Sequence, residues 1–162
     1  MSLFRRILAP TDFSATAETA LRYALELAGE QGALLRVLHV LEDPRLPVSG
    51  RGEDLEKETA SLQAWVDGRT AKEVRSRLNL EVRVVRGYPA FAIPRHAMQE
   101  DFDLIVMGTH GRGDLAHTPW GSVAEKVVAS SVCPVLTIRH ARQRDIARER
   151  LAAHAAAGGD AG

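Results

Sequence analysis

The chain has 162 residues, 45% of them hydrophobic and 26% charged, which suits the core of one ordinary domain and argues against disorder along most of its length. Its 21 basic and 21 acidic side chains cancel, so it lacks the basic footprint of a dedicated nucleic-acid binder. The single cysteine, Cys133, excludes an intramolecular disulfide and a cysteine-rich metal site, and no apolar run approaches the roughly 20 residues needed to cross a bilayer.

Near the N-terminus, two arginines are followed by only three apolar residues, too few for a secretory signal. The expectation is a cytoplasmic protein with no membrane insertion. Ile7-Leu8-Ala9 reads as a short buried strand that stops at Pro10. From Ser14, a plausible N-cap, the set Ala17, Ala20, Leu21, Ala24, Leu25 and Ala28 recurs at helical spacing until Gly32. Leu34 to Leu41 reads as a strand, and Glu42 to Asp54, with two prolines and two glycines, as a loop. Leu55, Leu62, Val66 and Val74 predict one long helix ending near Leu78, and the valine-rich stretch Leu80 to Val85 predicts a strand. Pro89 suits the first turn of a third helix, whereas Pro94 predicts a kink or a helix in two pieces. Leu104 to Met107 is a fully apolar strand, Ser122 to Ser131 has helical period, and Val135 to Ile138 forms the last strand.

Five strands alternating with four helices imply an α/β fold: a single-domain, doubly wound, five-stranded parallel sheet with helices on both faces. Such sheets bind ligands beyond the carboxyl ends of their strands, where the strand order reverses. The domain is expected over residues 1–140. Residues 141–162 form a charged, alanine-rich tail, partly helical or disordered, to which no function is assigned.

Chemistry concentrates between Gly108 and Ser122, directly after one strand and directly before a helix. Glycines there permit positive φ and close approach of a ligand to the backbone. The helix start adds unpaired N–H groups and a positive dipole end, a combination suited to phosphate, and the Ser122 hydroxyl adds a donor. No lysine follows the glycines as in a P-loop, and Ala116 breaks the G-x-G-x-x-G pattern that starts at Gly111. On this local physics alone, a structural turn explains the glycines about as well as a ligand does.

The full spacing is more specific. Gly108, Gly111 and Gly121-Ser122 match the G-x2-G-x9-G-[S/T] pattern of nucleotide-binding universal stress proteins. The opening stretch Arg6-Ile-Leu-Ala-Pro-Thr-Asp-Phe-Ser14 resembles that family's first strand and acidic turn. Asp103-Leu-Ile-Val-Met-Gly108 resembles the strand into the loop, and Ser131-Val-Cys-Pro-Val-Leu-Thr-Ile138 the closing strand. The resemblance runs in order from about Leu3 to Arg139 and implies a Rossmann-like universal stress protein fold.

By position, the resemblance places Asp12 beside the nucleotide, with Pro10 and Thr11 shaping the turn. Val40 would meet adenine through its main chain, and Met107 and Gly108 would line base and ribose. Gly111, Arg112, Gly113, Gly121, Ser122 and Val123 would surround the phosphates. It implies ATP, with or without Mg²⁺, held in a regulatory, stress-response role with little or no turnover, and a homodimer formed through the last strand. Asp114 sets a negative charge where phosphate would lie, unless Mg²⁺ uses it as an oxygen ligand. Pro119-Trp120 replaces the smaller residues usual before Gly-Ser.

Those departures keep two alternatives open: a dimeric interaction module without nucleotide, and a slow ATPase relying on Asp12, Asp114, His110 or His117. Asp12 also has a plainer role open to it, as a helix-start residue that assists Ser14. Two loop histidines without a third ligand do not make a metal site. Ser122 lacks the G-x-S-x-G elbow of a hydrolase nucleophile, so no catalytic residue is assigned. His39 reads as a packed, satisfied histidine, Cys133 as a buried, inert thiol, and Trp65 and Trp120 as core or interface.

Overall fold

The computed structural model describes residues 2–42, 52–110 and 121–140, together with Arg144, Arg148, Glu149, residues 151–153 and Ala155 of the tail, which are helical. Residues 111–120, and with them Gly111, Arg112, Gly113, Asp114, His117 and Trp120, lie outside the described residues.

The elements follow in the order β1 (Arg6–Thr11), α1 (Ala15–Gln31), β2 (Leu34–Leu41), α2 (Gly52–Asp67), α3 (Lys72–Arg75), β3 (Asn79–Arg86), α4 (Pro89–Gln99), β4 (Leu104–Gly108), α5 (Ser122–Ser130) and β5 (Val135–Ile138). All strand pairs are parallel, in the order β3-β2-β1-β4-β5. Strand alternation divides the core. Ile7, Ala9, Leu35 and Val37 pack toward α1 and α2, whereas Leu8, Leu38, Val40, Ile105 and Met107 pack toward α4 and α5. Both faces are covered, which is why these strands are mainly apolar, with Arg36 and His39 the polar residues of β2.

The first helix forms as its sequence requires. Ser14 Oγ accepts from Ala17 N at 3.2 Å, Gly32 ends the helix at φ 63°, and the buried face includes all six residues of the apolar stripe. Ser14→Ala should cost about 1 kcal/mol, read as a lower urea midpoint at unchanged slope.

Three sequence expectations need correction. Strand β1 runs through Pro10 to Thr11. It pairs with β2 along its whole length but with β4 at Ile7 and Leu8, so the donor that proline lacks falls where β1 and β4 separate. The long second helix is two: α2 unwinds after Asp67, where Val66 O is taken by Arg69 N at 3.0 Å and by the buried Thr70 hydroxyl at 2.9 Å. Val74 is consequently 41% exposed on α3, while Leu62 and Val66 are fully buried. Helix α4 is not in two pieces: Pro94 lies inside it, buried with Ala90, Ala92, Ile93 and Ala97. Packing of that face outweighs the one i→i−4 hydrogen bond the proline removes.

Trp65 packs against the α1/α2-side core, 5.5 Å edge-on from Phe13. Cys133 is half-buried at the margin of the other core, and burial pushes its thiol pKa up, which disfavours the reactive thiolate.

Candidate nucleotide-binding site

The chain leaves β1 for β2 on one side and later returns to β4 on the other, so the sheet order reverses between β1 and β4. A crevice opens at their carboxyl ends, the position expected for a ligand in such a sheet. It forms a cavity of about 640 Å³, within the range typical of small-molecule sites.

One wall is the turn after β1, held by three successive side-chain-to-backbone bonds. Phe13 N donates to Thr11 Oγ1 at 3.0 Å, Ser14 N to Asp12 Oδ1 at 3.0 Å, and Ala17 N to Ser14 Oγ. Phe13 is thereby held at φ 65°, a left-handed conformation that costs a non-glycine residue about 1–2 kcal/mol. Its ring lies 4.6 Å from that of His39. His39 Nδ1 is 2.9 Å from Thr11 O, and since a carbonyl only accepts, that nitrogen carries the proton. Asp12 therefore does assist the helix start, and it also lines the crevice.

The opposite wall is the junction of β4 and α5. Thr109, 1% exposed, bridges three strand and helix ends: its N–H donates to Ile138 O at 2.9 Å, and its carbonyl accepts from Gly121 N at 2.7 Å. His110 is buried beside it, with Nδ1 3.2 Å from Thr109 Oγ1. Helix α5 starts at Gly121 without a side-chain cap. Its first intrahelical donor is Glu125 N, bonded to Gly121 O at 3.1 Å, so the N–H groups of Ser122, Val123 and Ala124 precede the helical ladder. All three residues line the cavity, and their N–H groups and dipole end suit an anion.

The glycines have a different local reason from the one their spacing suggests. Neither Gly108 nor Gly121 takes a positive φ. A Cβ on Gly108 would meet Thr16 Cγ2 at 2.7 Å, and one on Gly121 would meet Thr109 O at 2.7 Å. Both allow segments of the chain to pack closely, and that packing brings the start of α5 to the end of β4.

Of the twelve residues singled out in the sequence, Pro10, Thr11, Asp12, Val40, Met107, Gly108, Gly121, Ser122 and Val123 line this one cavity. Gly111, Arg112 and Gly113 lie outside the described residues. Sequence reading did not assign to the site Leu38, His39, Glu42, Pro89 or Ile93, which also line it, and drew on His110 only for the slow-ATPase alternative. A signal for Pro89 and Ile93 was available. In a doubly wound sheet every helix that follows a strand begins at the carboxyl edge, so the first turn of α4 belongs there too.

Polar groups and apolar surface are divided along the crevice. Leu38, Val40, Ile93 and Met107 form a dry wall, Asp12 and Glu42 supply carboxylates, and α5 supplies N–H donors. This division suits a ligand with a flat apolar body, hydroxyl donors and an anionic end. Among the described residues no three His, Cys, Asp or Glu side chains are grouped to hold a metal ion, and no helix is long and apolar enough to cross a membrane.

Comparison with known proteins supports the fold and shows the family. The family model described as the universal stress protein family matches residues 3–139. Universal stress protein MJ0531 of Methanocaldococcus jannaschii is 32% identical over 144 residues, which covers 85% of this chain and 84% of that protein. Among solved structures, the universal stress protein UspA from Lactobacillus plantarum superposes with a TM-score of 0.72 at 27% identity, covering 86% of this chain and all of that one. A universal stress protein crystallised in complex with cAMP shares the fold, with a TM-score of 0.66 at 23% identity over 84% of this chain and 97% of its own.

Proposed function

The chain belongs to the universal stress protein family, and on that premise we propose that its crevice binds an adenine nucleotide, ATP or a related one, in a regulatory role with little or no turnover. The observation that carries this reading is the uncapped start of α5, Ser122 to Ala124, facing the same cavity as Asp12 and the apolar wall of Val40 and Met107. Phosphates would take the α5 N–H groups together with Gly111, Arg112 and Gly113. Ribose would lie near Asp12 and Gly108, and the base would lie against Val40, Met107 and Ile93.

The position of β5 at the sheet edge supports a homodimer. Leu136 on β5 and Val132 just before it are 38% and 74% exposed, which leaves an apolar margin for a second copy.

The test uses purified protein as isolated. Denaturation followed by chromatography of the supernatant should release an adenine nucleotide. Calorimetric titration of emptied protein with ATP, with and without Mg²⁺, should give saturable heat. No released nucleotide and no heat at millimolar ATP would sink the reading. The same apolar edge, with the Pro119-Trp120 sequence before Gly121, supports the second reading of a dimeric interaction module that binds no nucleotide.

A further inference from the structure

We propose that Arg36 and His96 form an acid-sensitive clasp that holds α4 against the sheet, and that protonation of His96 opens it and loosens the α4 wall of the crevice.

The clasp lies at the amino ends of the strands, far along α4 from the site. Arg36, on β2, has a side chain only 13% exposed. Its Nε and Nη2 donate to Glu81 Oε2 on β3 at 3.0 and 2.8 Å, and its Nη1 lies 3.1 Å from Glu100 Oε2, just past the end of α4. The same Nη1 is 3.2 Å from His96 Nε2. A guanidinium donates only, so His96 Nε2 must accept, and the ring must be neutral with its proton on Nδ1.

The surroundings reinforce that requirement. The His96 ring stacks on Phe102, centroids 6.0 Å apart. The guanidinium carbons of Arg6 and Arg36 lie 4.9 and 5.1 Å from the same Phe102 ring. The charged groups facing His96 are therefore Arg36 from β2, Arg83 from β3, Arg6 from β1 beside Phe102, and Glu100 from the end of its own helix. Glu100 is already engaged by Arg36, which holds its carboxyl below the ordinary range. A proton on Nε2 removes the acceptor from Arg36 and sets two cations 3.2 Å apart.

Burial, then Arg36, lower the His96 pKa below the ordinary histidine value, with Glu100 opposing and Arg83 adding to the effect. The fold thus prefers neutral His96. The clasp's contribution is complete above the ordinary value of about 6.5 and is lost as pH falls below it toward the folded-state value. Ile93 is three residues from His96 on α4 and lines the crevice, so loosening the helix reaches the pocket wall without any ligand.

His96→Gln keeps an acceptor for Arg36 but does not titrate, and so separates charge from packing. Urea unfolding is compared at about pH 7.5 and about pH 5.5 in both proteins, in the range where histidine changes charge. The wild-type midpoint should fall more on acidification than that of His96→Gln. Ring-proton NMR of the wild type, with the His96 signal identified by its loss in the variant, should show titration below about 6.5. The Ile93 δ-methyl signal, assigned with Ile93→Val, should shift along the same curve in wild type and stay fixed in His96→Gln. Equal acid sensitivity of the two midpoints, titration of His96 at or above the ordinary value, or an Ile93 methyl that ignores the His96 titration would each overturn the proposal.

Discussion

Gly121→Val is expected to abolish nucleotide binding in the proposed site and to lower stability by about 1–3 kcal/mol, the usual cost of overpacking a close contact. Even a single Cβ at this position would approach Thr109 O to 2.7 Å and His110 Cα to 3.3 Å, and both are backbone atoms that no side-chain rotation can move aside. The Gly121 N–H bond to Thr109 O at 2.7 Å must lengthen, which carries the first turn of α5 away from β4. Each charge-assisted hydrogen bond lost to a phosphate is worth about 1.5–3 kcal/mol, so binding should weaken by at least ~10-fold for every donor displaced. Calorimetry reads the affinity, and urea unfolding with far-ultraviolet circular dichroism establishes that the variant is folded. If partner binding and in-cell phenotype persist in Gly121→Val while dimer-breaking changes near Val135 remove them, the interaction-module reading replaces the nucleotide reading.

Leu38→Ala and Leu62→Ala should each lose about 2–5 kcal/mol, the range for deleting a fully buried leucine side chain. Both residues are 0% exposed. They lie on opposite faces of the sheet: Leu38 packs with Ile93 and Met107 on the α4/α5 side, and Leu62 packs with Leu21, Leu25 and Val37 on the α1/α2 side. Only Leu38 lines the crevice. The two variants should match in urea midpoint, whereas nucleotide affinity should fall only in Leu38→Ala. Equal affinity loss in both would mean that binding tracks global stability and that the apolar wall makes no specific contribution.

The two faces differ in how they meet the site. The α1/α2 side reaches it through the Phe13 turn, where Phe13 packs on His39 and Trp65 and three short side-chain bonds hold the turn that carries Asp12. The α4/α5 side forms its apolar wall and supplies the helix start. Helix α4 is therefore the element through which the His96 clasp at the far edge of the sheet reaches the crevice.

Local sequence determined a great deal about this protein. The apolar stripe from Ala17 to Ala28 with Ser14 and Gly32 at its ends, the continuous apolar run of β4, the mainly apolar β2, and the strand-helix alternation each follow from periodicity and capping, which act over a few residues. Together they specify a doubly wound parallel sheet, and the glycine spacing points to the edge at which the crevice opens. Other features were decided by contacts between residues distant in the chain. The split of α2 from α3 depends on Thr70 reaching back to Val66 in a buried turn, and the survival of α4 through Pro94 depends on the core beneath it. Gly121 is needed because Thr109 approaches it from another element, not because its own φ requires glycine. The inclusion of Pro89 and Ile93 in the crevice, and the meeting of Arg36 with His96 sixty positions away, follow only from the order β3-β2-β1-β4-β5, because no short-range pattern encodes which strand ends become neighbours.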